Sequence, residues 1–387
     1  MSELILEMKK AMKIASGIED NRYDILGGMA SAIYFHLYLS QVTGKKYDPE
    51  EDIFLLVKRI NEHGTISGSI SGLSGVYYLI KCLKKMKPAC HAADELYLQL
   101  EGMIRNLLPE YLHAKNFDFI HGATGIIWCL SSEGCLHQDS VRAFIDELYP
   151  IYGMNTSRIG FTRFNDEKGI YCFTEGYLNS SLSHGISGLL LVLIHLYKSG
   201  YERIRIKILC ERLIGLYSYF KIENSRSSFC NLYPAASGFT RMAWCIGDMG
   251  IALAHWKAGE LFGWHDIQEK GFRLMSECGK RRNLKLDQVY DAGFCHGSAG
   301  LCQMFFRFYE ATGEPEFLKS VYYWLKQTKQ MRIHGSGLAG YRAWQGDLGW
   351  QPEYGMLEGI AGIGLVLLSA EYGFEIPADW DRLFLLS

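Results

Sequence analysis

The stretch that decides the fold is Gly293-Phe-Cys-His-Gly-Ser-Ala-Gly300, together with Arg241-Met-Ala-Trp-Cys-Ile-Gly-Asp-Met-Gly250 upstream. In each, a cysteine stands two residues before a Gly-x-x-Gly that opens an apolar run. Cys245 and Cys295 thus hold equivalent positions in two similar units, and we expect them to lie side by side. Two thiolates beside the imidazole of His296 would form a soft ligand set that suits zinc and leaves a fourth tetrahedral position open. An open coordination position indicates a catalytic metal site rather than a structural one.

The alternative interpretation is that these are ordinary buried cysteines, which pack as small hydrophobic side chains. The chain has 11 cysteines and 12 histidines, so a Cys-His dipeptide alone carries little weight. Cys90-His91 is a second such pair, and no Gly-x-x-Gly follows it. The register that Cys295 shares with Cys245 is what favours a metal site at the later pair.

Composition indicates a globular protein with a sizeable core, since 48% of the 387 residues are hydrophobic and 21% are charged. The net charge is −2, and no block of like charge occurs beyond Lys81–Lys87, so a nucleic-acid partner is not expected. Glu3 and Glu7 stand where a signal peptide needs a basic start. The longest apolar run, Leu189–Ile194, is far below the roughly 18 residues of a membrane span. Eleven cysteines without framework spacing predict free thiols in a reducing cytoplasm.

The Gly-x-x-Gly motif is an internal repeat, and each copy is followed by an apolar helical pattern. Six copies stand at Gly72–Gly75, Gly122–Gly125, Gly185–Gly188, Gly247–Gly250, Gly297–Gly300 and Gly359–Gly362, and a degenerate seventh is Gly27–Ser31. Amphipathic stretches alternate with them at Glu3–Ser16, Pro49–Glu62, Ala93–Leu112, Ser140–Tyr149, Arg203–Phe220, Ile267–Lys280 and Glu316–Met331. The pattern predicts an all-α fold, a closed α/α toroid of seven inner and seven outer helices that forms one domain over residues 1–387.

Two segments depart from the repeat. Gly153–Leu178 contains two stretches that read as short strands around a turn, so it is either an inserted lobe or lid or a long loop. Glu223–Phe239 is rich in Ser, Asn and Gly and reads as a loop that leads into Arg241.

Aligning the copies by their glycines places several chemically active side chains at one level, where we expect them to surround a central cavity. The residues before the first glycine are Ser71, His121, His184, Ile246, His296 and Glu358. His184 is a candidate for proton transfer, although any one of these histidines can also be a packed side chain. Asp118 is either a helix cap or a functional carboxylate. Arg241 is either a cation beside the metal or part of a structural salt bridge.

These motifs together resemble the lanthionine synthetase C family, the LanC-type cyclases of lantibiotic biosynthesis. The resemblance rests on Arg241–Gly250, Cys295–Gly297, Ser183–Gly188 and Gly355–Gly364 in this order, and it spans nearly the whole chain. It implies zinc bound by Cys245, Cys295 and His296, with Asp118, His184 and Arg241 as active-site residues. Ile246 departs from the pattern, because the lantibiotic cyclases usually carry tyrosine there.

The resemblance also implies a reaction. Zinc would deprotonate a substrate thiol, and Michael addition of that thiolate to dehydroalanine or dehydrobutyrine would close a thioether ring in a dehydrated precursor peptide. The implied partners are that peptide with its leader, a dehydratase and an export transporter, with membrane association only through such a complex. Three alternatives stay open: a relative that adds glutathione, a non-catalytic peptide-binding subunit, and a toroid glycoside hydrolase that uses two carboxylates.

Overall fold

The computed structural model describes residues 2–17, 21–62, 67–131, 137–154, 159–234, 238–374 and 379–387. Fourteen α-helices, α1 to α14, occur in this described part of the chain, and two kinds alternate along it. The glycine-led helices are α2 (Met29–Thr43), α4 (Leu73–Met86), α6 (Ala123–Ser131), α8 (Ile186–Lys198), α10 (Asp248–Phe262), α12 (Ser298–Thr312) and α14 (Ile360–Glu371). The amphipathic helices are α1 (Glu3–Gly17), α3 (Glu50–Glu62), α5 (His91–His113), α7 (Gln138–Leu148), α9 (Arg203–Leu216), α11 (His265–Lys280) and α13 (Pro315–Gln330).

The chain forms two compact units. The terminal unit comprises Met1–Ser67, Ser71–Glu101 and Val289–Ser387, and the central unit comprises Gly68–Ile70 and Gly102–Gln288. In the terminal unit α14 packs against α1, α2 and α12, and α12 also packs against α13. In the central unit α8 packs against α6, α9 and α10, and α10 packs against α11. Each unit buries large side chains of its own, Trp324 and Trp380 in the first and Trp244 and Phe117 in the second.

The second glycine of the Gly-x-x-Gly motif is needed for steric reasons. At Gly125, Gly188, Gly300 and Gly362 an added Cβ would lie 1.8–2.2 Å from the carbonyl oxygen six residues earlier. The loop before each of these helices therefore folds back against the first helical turn, and a side chain would block it. This close approach explains why glycine recurs where it lowers helix propensity.

Backbone hydrogen bonds join the loops before successive glycine-led helices. In the central unit Ile120 N donates to Ser183 O (3.3 Å), and Ser183 N donates to Cys245 O (3.1 Å). In the terminal unit Cys295 N donates to Leu357 O (2.7 Å), and Leu357 N donates to Leu26 O (3.1 Å). All six residues stand two positions before the glycine that precedes their helix. Each unit thus holds its loops in a common register.

The short strands form three two-stranded antiparallel sheets in the described residues. β1 (Gly160–Asn165) pairs with β2 (Ile170–Glu175) as a hairpin, in the stretches that the sequence predicts as strands. β3 (Leu178–Asn179) pairs with β4 (Leu232–Tyr233), and β5 (Ala343–Trp344) pairs with β6 (Trp350–Gln351). Residues 155–158 of the predicted lobe and 235–237 of the predicted loop lie outside the described residues.

A buried ion pair anchors the C-terminal segment. The guanidinium of Arg307 on α12 donates from Nε and Nη2 to the two carboxylate oxygens of Asp381, both at 2.7 Å, and Gln303 donates to the same carboxylate at 2.6 Å. Asp381 is fully buried in the 3-10 helix Trp380–Phe384. None of the helices described has the length and hydropathy needed to span a bilayer.

Candidate metal centre and active site

Asp118 and His184 form a hydrogen-bonded pair in the central unit. His184 directly precedes the N-cap glycine of α8, and Asp118 lies in the loop before α6. Nδ1 of His184 lies 2.8 Å from Oδ2 of Asp118, while Oδ1 of Asp118 accepts a hydrogen bond from the backbone N–H of His121 at 2.7 Å. Asp118 is 1% exposed, whereas 39% of the His184 side chain is accessible. The carboxylate therefore bonds the backbone of the loop before α6 rather than the helix N-terminus, and it also orients an accessible imidazole.

The surroundings of His184 favour its protonated form. Burial alone would lower the pKa of His184, but the charge and hydrogen bond of Asp118, together with the Cys245 side chain, raise this pKa above its ordinary value. His121 stacks on the ring of His184, with centroids 5.5 Å apart and planes 9° apart. Tyr171 of β2 stacks on His121 at 4.8 Å. Burial lowers the pKa of His121, the middle ring of this stack, so the surroundings favour the neutral form of His121 and the protonated form of His184.

Cys245 and Arg241 lie in the loop before α10. The carbonyl of Cys245 accepts hydrogen bonds from the N–H of Leu182 (3.0 Å) and of Ser183 (3.1 Å), which ties this loop to the one before α8. Gly247 has φ +91°, unlike the glycines that precede α8 and α12, and only glycine adopts that conformation readily. Nη2 of Arg241 donates to the carbonyl of Gln288. Arg241 is half-buried.

The segment before Arg241 is fixed by Asp287, which is fully buried. The carboxylate of Asp287 accepts hydrogen bonds from Arg226 (2.9 Å) and Arg281 (3.1 Å), and its carbonyl accepts one from Met242 N (3.0 Å). The described part of Glu223–Phe239 is thus a loop, as predicted, and the ion pair of its exposed Arg226 with the buried Asp287 holds it in place.

Cys295 and His296 precede α12 in the terminal unit, where Asp291 organises their loop. Oδ1 of Asp291 accepts a hydrogen bond from Gly293 N (2.9 Å), and Oδ2 accepts one from Trp344 N (2.9 Å). Nε2 of His296 lies 3.7 Å from Oδ2 of the same carboxylate.

One group among the described residues offers a set of metal ligands: the ligand atoms of Cys245, Cys295 and His296 all lie within 4.8 Å of one another. All three side chains are half-buried. Two sulfurs and one imidazole nitrogen match the donor preference of zinc, and three protein ligands leave one of its four positions for another molecule. The residues present therefore fit a zinc ion of the catalytic type.

The chain matches the family model described as lanthionine synthetase C-like protein over residues 12–385. The chain belongs to this family. The structure of nisin cyclase matches with a TM-score of 0.76 at 18% identity, covering 99% of this chain and 96% of that one. A cellobiose 2-epimerase from Bacillus thermoamylovorans B4167 (TM-score 0.42, 15% identity, 77% and 87% covered) and a sugar epimerase from a ruminal bacterium (0.40, 10%, 96% and 89%) match far less closely.

The match to nisin cyclase confirms the fold predicted from the sequence, an α/α toroid with seven inner and seven outer helices. Within this lanthionine synthetase C-like chain, sequence reasoning missed Asp287 and Asp291. Asp291 could have been found from the repeat, since it stands six residues before the N-cap glycine of its helix, as Asn116 and Asn179 do. The side-chain oxygens of all three accept a hydrogen bond from the N–H two residues later.

Proposed function

We propose that this protein is a zinc-dependent lanthipeptide cyclase, which adds peptide cysteine thiols to dehydroalanine or dehydrobutyrine and so forms thioether rings. The observation that carries this proposal is the group of Cys245, Cys295 and His296 in a chain of the lanthionine synthetase C-like family. The name of nisin cyclase, the structure that shares the fold, supports a modified precursor peptide as the substrate.

A zinc ion at this group would hold the substrate sulfur as a thiolate at neutral pH. The protein's own residues then have three tasks: to bind the peptide, to stabilise the enolate that forms as sulfur attacks the alkene, and to supply a proton to the α-carbon. The thiol loses one proton and the α-carbon gains one, so the reaction needs no redox partner.

His184 is the residue proposed for the proton. Its ring is accessible, and Asp118 holds Nδ1 at 2.8 Å, which leaves Nε2 as the atom that exchanges a proton with the reactants. The pKa of His184 is raised, and therefore more of the imidazole is protonated near neutral pH than for a free histidine. That form is the one that can donate to the enolate carbon.

Arg241 is the residue proposed to stabilise the enolate. A guanidinium stays charged at all relevant pH values, and here one of its nitrogens is held by the Gln288 carbonyl. Met242, the next residue, is hydrogen-bonded to Asp287, so the cation is presented from a fixed backbone.

The proposed partners are a dehydrated precursor peptide with its leader, a dehydratase and an export transporter, and the proposed location is the cytoplasm. The ten cysteines that the structure describes are thiols outside any disulfide, which supports a reducing compartment.

The metal assignment is tested by replacing ligands and measuring zinc by atomic absorption. Cys245→Ala and Cys295→Ala should each lose most of the bound zinc, while Cys172→Ala should keep it, because Cys172 is also half-buried but lies in β2. Far-UV circular dichroism should stay helical in all three. Full zinc occupancy in either ligand variant would contradict the assignment.

Activity is measured by alkylating free thiols after incubation with a dehydrated peptide, since the addition leaves peptide mass unchanged. Thiol consumption within the peptide supports the cyclase. Consumption only when glutathione is added would identify the glutathione-adding activity instead, and peptide binding without consumption would identify a binding subunit.

A further inference from the structure

A cavity lies in the central unit, and none of the residues proposed for catalysis lines it. It has a volume of about 670 Å³, and its walls come from α9, α10, α11 and the segment Tyr217–Phe229. Ligand-binding pockets for small molecules span roughly 300–1,000 Å³, so this cavity is of the size that holds one.

The base of the cavity is aromatic and uncharged. Tyr217 lies 4.6 Å from His255, centroid to centroid, and Phe229 contacts Tyr217 edge-on. The hydroxyl of Tyr217 is engaged with Ser187. Nδ1 of His255 donates to the carbonyl of Ile251 at 2.9 Å, and burial lowers the pKa of His255 to about 4. The imidazole is therefore neutral at physiological pH, and the base favours an apolar group.

Positive charge surrounds this base. The lining includes Lys221, Lys270, Arg273 and Glu277. Arg273 is neutralised by Glu269 at 3.1 Å, and Glu277 pairs with Lys280 at 2.6 Å. Within the part of the chain that the structure describes, Lys221 and Lys270 lack a carboxylate at ion-pair distance. Two uncompensated ammonium groups at an apolar cavity leave a local field that favours an anion.

We propose that this cavity binds a small anionic ligand with an apolar body, such as an acyl or aryl carboxylate. Its body packs against Phe229, Leu274 and Tyr217, and its anionic group is held by Lys270 and Lys221. The site is separate from the cyclase proposal and stands whether or not that proposal holds.

The cavity is connected to the loop that carries Arg241. The N–H groups of Ser228 and Phe229, which line the cavity, donate to the carboxylate of Asp248 at 2.9 and 3.1 Å. Thr240, the neighbour of Arg241, donates from Oγ1 to the Phe229 carbonyl at 3.2 Å. A bound ligand would thus stabilise the segment that leads to Arg241.

The test uses two fluorescent probes of nearly equal shape: 1-anilinonaphthalene-8-sulfonate, which is anionic, and N-phenyl-1-naphthylamine, which is neutral. Lys270→Glu should weaken the anionic probe at least about tenfold and leave the neutral probe unchanged. Lys207→Glu on α9 is the control, because Lys207 is exposed, does not line the cavity and makes the same change in net charge.

A second variant blocks the cavity. Gly215 lines it from α9, and a Cβ there would meet open space, so Gly215→Phe should fold and exclude both probes. Gly102→Phe on α5, also in open space but outside the lining, is its control. Decanoate should displace the anionic probe more strongly than decanol does. Equal binding of that probe to wild type, Lys270→Glu and Gly215→Phe would mean adventitious surface binding and would overturn the proposal.

Discussion

At the scale of single residues, the two oxygens of the Asp118 carboxylate have separate partners, one in the backbone of its loop and one on the imidazole of His184. Because Oδ1 caps the loop and Oδ2 holds His184, Asp118→Asn keeps an oxygen for the cap but loses the charge that favours imidazolium. The proposed cyclase function predicts that this variant folds and binds zinc as the wild type does. Its ring-closure rate should fall by roughly tenfold, and that of His184→Ala by about 100-fold or more. Single-turnover thiol alkylation measures both. Equal losses would show that the carboxylate itself moves the proton.

His255 gives a prediction about stability and pH. Its pKa is lowered from 6.5 to about 4, so the unfolded chain binds a proton between these values that the folded chain does not. This histidine therefore adds stability above pH 6.5 that is lost as pH falls towards 4. Replacing it by a residue that does not titrate, His255→Gln, should remove this loss. Urea unfolding at pH 7 and pH 5 should show wild type losing roughly 1–2 kcal/mol more than the variant. Equal losses would contradict a neutral, buried imidazole.

The candidate site could be predicted to the extent that its residues occupy equivalent positions in the repeat. Cys245 and Cys295 share one position, and His184 and His296 share the next. Asp287 could not be found in this way, since it lies outside the repeat. Its partner Arg226 stands 61 residues earlier in the chain, and neither has a local pattern. Only the tertiary structure brings these two charges together.

At the scale of elements, the hairpin of β1 and β2 brings Tyr171 onto the His121–His184 stack. Thr162 and Phe173 are paired directly across the hairpin. Residues 163–172 between them can therefore be replaced by an Asn-Gly turn while the remaining strand pairs are kept. The proposed function predicts that this shortened hairpin binds the dehydrated peptide more weakly, measured by calorimetry, while the zinc content is unchanged. Tyr171→Ala in the full-length hairpin is the comparison. Unaltered affinity in the shortened protein would show that the hairpin does not serve as a lid or peptide-binding lobe.

Helix positions were predicted closely because apolar periodicity is a local property, but helix ends were not. The outer helix predicted to run to Phe220 ends at Leu216, and Tyr217–Phe220 form a 3-10 turn. Likewise the helix predicted to end at Tyr149 ends at Leu148, and a π-helical turn with Pro150 follows. Such ends depend on which tertiary partners receive the last carbonyl groups, and sequence periodicity does not carry that information.

At the scale of the whole molecule, the Arg307–Asp381 pair fixes the chain's C-terminal end. Removing one partner leaves a buried charge, so Asp381→Ala should lower the free energy of unfolding by about 3–5 kcal/mol. Glu310→Ala removes the exposed partner of the same arginine and should lower it by less than about 1 kcal/mol. Denaturant midpoints measure both. If the two variants lost the same stability, the buried pair would not be an anchor.

The hydrogen bonds between successive loops have a consequence for how this chain tolerates change in length. The first glycines of successive Gly-x-x-Gly copies are 45 to 63 residues apart, yet backbone hydrogen bonds still join Ile120 to Ser183 and Ser183 to Cys245. Extra residues, including the hairpin between α7 and α8, are therefore accommodated outside these hydrogen-bonded loop positions. Insertions elsewhere between successive glycine-led helices should leave the candidate site residues in their present positions. A single residue added between a hydrogen-bonded loop position and the glycine after it would displace the site residue of that loop.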